Sequence, residues 1–211
     1  MTIPARELFG LSLIAVQLLL AGPIILKLLR SRERKGFSLA GEIIWVAAGA
    51  GWALYGLLFD STVLIISGSI AALTSGAISI LIWNYSPKKM AIICGLGTVA
   101  VLGLGTFWGG KEGLSMSLAF VGAVQFLPQL VKSLRMLKNG ERAGGVSVLG
   151  SGMRSLYTLS WAVYGGAWFL WGAEMTRIDW PLVGWGLAGA VAFFAQACSG
   201  IGSRSRPCSS R

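Results

Sequence analysis

The 211-residue chain has no histidine, eight acidic residues and three cysteines. Each shortage removes a class of function. Histidine titrates near neutral pH and is the commonest metal ligand, so its absence takes away most general acid–base and metal chemistry. The remaining acids and thiols show neither metal-ligand spacing nor a clustered acid pair. The chain therefore reads as a non-enzyme, with no metal or cofactor expected. Cys94 and Cys198 fall in apolar stretches and Cys208 in a basic tail, which reads as three free thiols rather than a disulfide framework. Charge is scarce as well. Asp, Glu, Lys and Arg make up 12% of the chain against 55% hydrophobic residues, a composition foreign to an ordinary water-soluble domain.

What the chain has instead is long apolar runs. Seven stretches of 18 or more residues, at 8–29, 39–59, 61–84, 91–108, 114–134, 148–171 and 181–201, are each long enough to cross a bilayer as a helix. They do not alternate apolar with polar residues, so a β-barrel is excluded, and helices satisfy their own backbone amides in lipid. Seven helices suggest a retinal protein, but the last run has no lysine for a Schiff base. The first run is no signal peptide. Only Arg6 precedes it, offset by Glu7, whereas Lys27, Arg30, Arg32, Arg34 and Lys35 follow it.

Short loops rich in Lys and Arg stay on the cytoplasmic side, so this asymmetry predicts an N-terminus outside and a C-terminus in the cytoplasm. With seven crossings, 14 of the 18 cations fall inside; Arg6, Lys111 and Arg177 fall outside, and Arg154 lies within a span. The net charge of +10 is then mostly an orientation signal, with contact to the lipid bilayer as its by-product and nucleic acid a poor fit. Asn84-Tyr85-Ser86 matches a glycosylation sequon, but this topology puts it on the cytoplasmic face.

The chain also repeats itself. "WALYG" at Trp52 recurs as "WAVYG" at Trp161, and the same offset of 109 aligns Gly36 with Gly145, Ser38 with Ser147 and Gly41 with Gly150. Four extra residues in the second loop change the offset to 105 and superpose "PIILKLLR" from Pro23 on "PQLVKSLR" from Pro128. Each unit therefore reads as three helices joined by a basic loop and a short turn. Two three-helix units with the same cytoplasmic loop are parallel, and parallel units need an odd number of crossings between them. The expected fold is an all-α membrane protein of seven transmembrane helices arranged 3+1+3. Residues 1–89 form the first repeat, 90–110 the linking inversion helix, 111–203 the second repeat and 204–211 the basic tail.

In these features the sequence resembles the SWEET sugar transporters and the wider PQ-loop family, which includes amino-acid exporters and the KDEL retrieval receptor. Pro128-Gln129, the basic loop, Gly145-x-Ser147 and Trp161 with Tyr164-Gly165 carry the resemblance, which covers nearly the whole chain. It departs from the SWEET pattern in three ways. The first unit has Pro23-Ile24 in place of proline-glutamine. The second helix of each unit carries Gly49, Gly51, Gly165 and Gly166 where a proline is usual. Sugar-carrying relatives place an asparagine on the third helix of each unit, where this chain has Ser67 and Trp185. The resemblance implies a facilitative carrier of a small polar solute, a sugar in the first place, working by alternating access. An amino-acid or metabolite transporter, proton-coupled or not, and a non-transporting receptor are the alternatives, and self-association into a homo-oligomer is left open.

Candidate residues follow from the repeat. Trp52 and Tyr55 share a helix face, as do Trp161 and Tyr164, and each ring pairs an apolar face with a polar tip. With Ser67 and Trp185 they are the expected solute-binding residues. Pro23 and Pro128 each remove a helix hydrogen bond and are candidate hinges, with Gln129 beside the second. Glu42 and Arg154, charges inside the apolar runs at similar depth, are expected to meet across the pathway as a gate; separate snorkelling to the interface is the competing reading.

Overall fold

A computed structural model describes residues 5–30, 37–127, 131, 135, 148–166 and 179–202. These form helices α1 (Ala5–Arg30), α2 (Leu39–Leu58), α3 (Thr62–Ile82, followed by a 3-10 turn at Trp83–Tyr85), α4 (Lys88–Val124), α5 (Val148–Gly166) and α6 (Trp180–Gly202). Among the described residues there is no strand. Pro128, Gln129 and most of the basic loops lie outside the described residues.

Local chemistry explains several helix ends. Ser38 caps α2 by accepting the Gly41 N–H at 3.3 Å, and Glu42 sits in that first turn, where the helix dipole favours a negative charge. Asp179 does the same for α6, its carboxylate accepting the Leu182 N–H at 3.3 Å. Pro181 falls in that first turn, where a missing N–H costs no hydrogen bond. Pro23 stays inside α1.

The expected boundary between the runs 91–108 and 114–134 takes an unexpected form. The run 91–108 and the first part of 114–134, up to Val124, belong to α4, which is broken at Gly110 (φ 54, ψ −133), a conformation cheap only for glycine. The two arms fold back on each other: Ser117 Oγ donates to the Val101 carbonyl at 3.2 Å, although 16 residues of straight helix would span about 24 Å. Gly105 and Gly113 let the arms close, since a Cβ on Gly105 would lie 2.7 Å from the Gly113 carbonyl oxygen. Six helices are thus described where seven runs were read.

α2 packs on α3, and α5 on α6, by the same interlock. A Cβ on Gly68 of α3 would strike the Gly49 carbonyl and the Ala53 amide nitrogen of α2; a Cβ on Gly186 of α6 would strike the Thr158 carbonyl and the Ala162 nitrogen of α5. Gly49 and Thr158, like Ala53 and Ala162, stand at the repeat offset of 109. The turns match too. Ser61 N–H donates to Gly56 O and Ile65 N–H to Ser61 O, while Asp179 N–H donates to Gly165 O and Val183 N–H to Asp179 O, all within 2.8–3.1 Å. Across these third helices the offset is 118, which makes Ser67 and Trp185 equivalent positions. α1 packs on both α3 and α5, α2 on α4, and α4 on α6.

The outside of the bundle is apolar. Leu19, Leu73, Ile80, Phe107, Trp108, Met116 and Val191 are among many large hydrophobic side chains left exposed. In water such a surface would drive aggregation; in lipid it is the solvated face. Four helical segments, Ala5–Arg30, Leu39–Leu58, Thr62–Tyr85 and Lys88–Val124, are long and apolar enough to cross a membrane. The described residues are helical throughout their regular structure, and their apolar helices are compatible with a membrane-embedded protein.

Candidate functional site

Where the helix pairs meet, the expected binding residues are drawn into one buried core: Trp52, Tyr55, Trp161, Tyr164 and Trp185 all belong to it. Trp52 and Trp161 each have their own ring neighbours. Trp52 meets Tyr55 edge-on at 5.6 Å and Trp185 at 6.2 Å, whereas Trp161 meets Tyr157 at 6.3 Å and Tyr164 at 5.3 Å. Trp185, on α6, is the ring that bridges to the first unit, and it also meets Trp45 of α2 at 6.0 Å. Gly122 of α4 admits it, since a Cβ there would lie 2.8 Å from the Trp185 Cδ1.

The equivalent position in the first unit is polar. Ser67 Oγ donates to Gln17 Oε1 at 3.0 Å, Gln17 Nε2 donates to the Ser67 carbonyl at 3.3 Å, and Tyr157 OH donates to the same Gln17 oxygen at 2.9 Å. Three helices, α1, α3 and α5, are tied at one amide. Gln17 stands at the offset of 105 from Gly122, so one repeat position is filled twice by different means: glutamine with serine in the first unit, glycine with tryptophan in the second. The centre therefore has a hydrogen-bonding wall and an aromatic wall.

Two donors in this centre are idle. The indole N–H groups of Trp161 (2% exposed) and Trp185 (6%) have no hydrogen-bond partner among the described residues; that of Trp161 points toward the Tyr157 hydroxyl without reaching hydrogen-bond geometry. A buried donor left unmade costs about 1–3 kcal/mol.

The remaining candidates lie to either side. Tyr164 is seated on α1: its hydroxyl donates to Glu7 Oε1 at 3.3 Å, the Arg6 guanidinium lies 4.3 Å over its ring, and Gly10 leaves it room. Glu42 has Arg154 as its charged neighbour and Ser75 within hydrogen-bonding reach. The Arg154 guanidinium also lies 5.7 Å from the Phe193 ring centre. The structure brings Glu42 and Arg154 within electrostatic reach of each other across α2 and α5.

Gln17, Trp45 and Tyr157 were not among the expected site residues. Tyr157 is one turn before Trp161 on the same face, and that spacing was a usable signal. A lone glutamine in an apolar helix was the signal for Gln17. No family model, curated protein or solved structure matches the chain.

Proposed function

We propose that the chain is a membrane carrier of a small polar solute, built as two parallel three-helix units joined by an inversion helix, like the SWEET and PQ-loop transporters it resembles. The first arm of α4 is then the inversion helix and the reversal at Gly110 opens the second unit, so that seven crossings arise from six helical elements. The N-terminus lies outside and the basic loops in the cytoplasm. A sugar is the solute of first choice, moved by rocking of the two units without an ion gradient.

One observation carries the reading. Equivalent positions of the two repeats are filled by different chemistry, Ser67 bonded to Gln17 in the first and Trp185 resting against Gly122 in the second, and the buried Trp161 and Trp185 indoles have N–H groups without a partner among the described residues. Aromatic faces take up the C–H surface of a pyranose, and amide and hydroxyl groups take up its hydroxyls. The packed residues describe a closed centre, and rocking of α1–α3 against the second unit would have to break the Tyr157–Gln17 bond. Glu42 beside Arg154 favours a second reading, an amino-acid or metabolite carrier driven by protons, because an acid inside the bundle is costly unless used.

Uptake by the purified protein in liposomes, screened over sugars and neutral amino acids with and without a pH gradient, tests both. Saturable sugar uptake indifferent to the gradient supports uniport; gradient-driven amino-acid uptake selects the second reading. Absence of any uptake refutes the carrier.

A further inference from the structure

The two ends of the bundle differ in charge. Leu28 of α1, Ile82 of α3 and Ala91 of α4 fall in one packed cluster with Trp83 against it, so the last turn of α1, the end of α3 and the first turn of α4 share one end. Exposed cations stand around that cluster: Lys27 and Arg30 in the last turn of α1, and Lys88 and Lys89 within one turn before Ala91. Among the described residues the acid at this end is Glu42, whose charged neighbour is Arg154. The opposite end has Glu7, Asp60, Glu112 and Asp179 against Arg6 and Lys111.

Orientation alone does not account for where Lys88 and Lys89 stand. Cations anywhere in a short loop satisfy the orientation rule, but these two open α4, where the helix dipole already presents positive charge and the first turn holds no acid. The Lys88 ammonium lies over the Trp83 ring, 5.7 Å from its centre, a contact that steadies the cation without neutralising it. Beside and below these cations Leu26 and Leu29 of α1, Ile80 of α3, and Met90 and Ile93 of α4 expose large apolar side chains. The chemistry that meets both features is an anionic head joined to alkyl chains. A free phosphate would answer the charge and leave the apolar surface unused.

We infer that this corner of the bundle is a binding site for an anionic phospholipid, Lys88 and Lys89 taking the phosphate, Lys27 and Arg30 adding to the local positive potential, and the acyl chains lying against the exposed side chains of α1 and α4. Basic pockets at the cytoplasmic ends of membrane helices hold such headgroups. The inference needs a membrane protein but not a carrier, so it stands or falls separately from the proposed function.

The test uses the full chain in a neutral detergent, with thermal unfolding followed as dioleoylphosphatidylglycerol, dioleoylphosphatidylcholine or inorganic phosphate is added. Phosphatidylglycerol is expected to raise the unfolding temperature saturably, and the other two to give no comparable rise. A cation beside an anionic headgroup is worth about fivefold in affinity, so Lys88→Gln combined with Lys89→Gln should raise the half-saturating phosphatidylglycerol concentration about twentyfold or more. Lys111→Gln, at the opposite end, is the control and should leave it unchanged. Lys27→Gln with Arg30→Gln is a second pair, expected to act in the same direction, should the first fail to fold. Equal rises from the two lipids, or none from either, would overturn the site and leave the cations as an orientation signal. An equal rise from inorganic phosphate would overturn the lipid in favour of a soluble anion, and unchanged half-saturation in a folded double variant would overturn the assignment to these residues.

Discussion

Alanine at Gly68 and at Gly186 tests the repeat at its tightest points. A methyl group on Gly68 would approach the Gly49 carbonyl oxygen to 2.7 Å and the Ala53 amide nitrogen more closely still; on Gly186 it would lie 2.5 Å from the Thr158 oxygen and 2.6 Å from the Ala162 nitrogen. These neighbours are main chain, so no rotamer change relieves them and the paired helices must separate. A gap of about 0.5–1 Å forfeits a quarter to a half of the dispersion well along the seam, and overpacking of this kind costs about 1–3 kcal/mol. Rigid backbone puts both substitutions in the upper part of that range. For a chain of this length, about 2–3 kcal/mol lowers the unfolding temperature by roughly 4–12 °C. Gly76 on α3 and Gly184 on α6 are the controls: a Cβ on either meets nothing within 4 Å, and alanine there should leave stability level or slightly raised. Thermal unfolding in detergent, followed by tryptophan fluorescence, reads all four. If Gly68→Ala and Gly186→Ala unfold with their controls, the interlock is wrong; if only one of them falls, the two helix pairs are not equivalent.

Three further outcomes are expected. Trp161→Phe removes the indole N–H and leaves a small void beside Tyr157 and Tyr164, so the unfolding temperature should fall modestly and solute affinity should fall with it, unchanged affinity removing Trp161 from the site; Trp52→Ala, which also loses the contact with Trp185, should weaken binding by about 1–3 kcal/mol and lower the unfolding temperature further. Exchanging the charges of Glu42 and Arg154 together should restore more stability or transport than either single exchange, and strict additivity across the double-mutant cycle would make them independent residues. Cysteines placed singly at Ser61 and Glu112 should react with an impermeant thiol reagent from outside, and those at Lys138 and Ser205 should not; the reverse pattern would overturn the orientation and the parallel arrangement with it.

The repeated frame could be read from the chain because close helix packing leaves a visible trace. Trp-Ala-x-Tyr-Gly recurs where Tyr55 and Tyr164 precede Gly56 and Gly165, and both glycines press against the start of the next helix. The seven-run count met six helical elements because the two arms of α4 are joined by a reversal in which only Gly110 leaves helical geometry, so two apolar runs share one element. Side chains at the centre were harder. Gln17 has Gly122 as its repeat counterpart, so it could not be found by matching the units, and it becomes meaningful only when another helix is placed beside it. Trp45, which meets Trp185 and Phe126, has the charged Arg154 as its repeat counterpart, so matching the units gives no aromatic signal there. These misses share a physical cause. Positions buried within one unit are constrained by the same neighbours in both copies, so their sequence repeats. Positions that face the other unit meet different neighbours in each copy and are free to diverge: Ser67 is hydrogen-bonded to Gln17, whereas its counterpart Trp185 lies against Gly122 and meets the rings of Trp45 and Trp52.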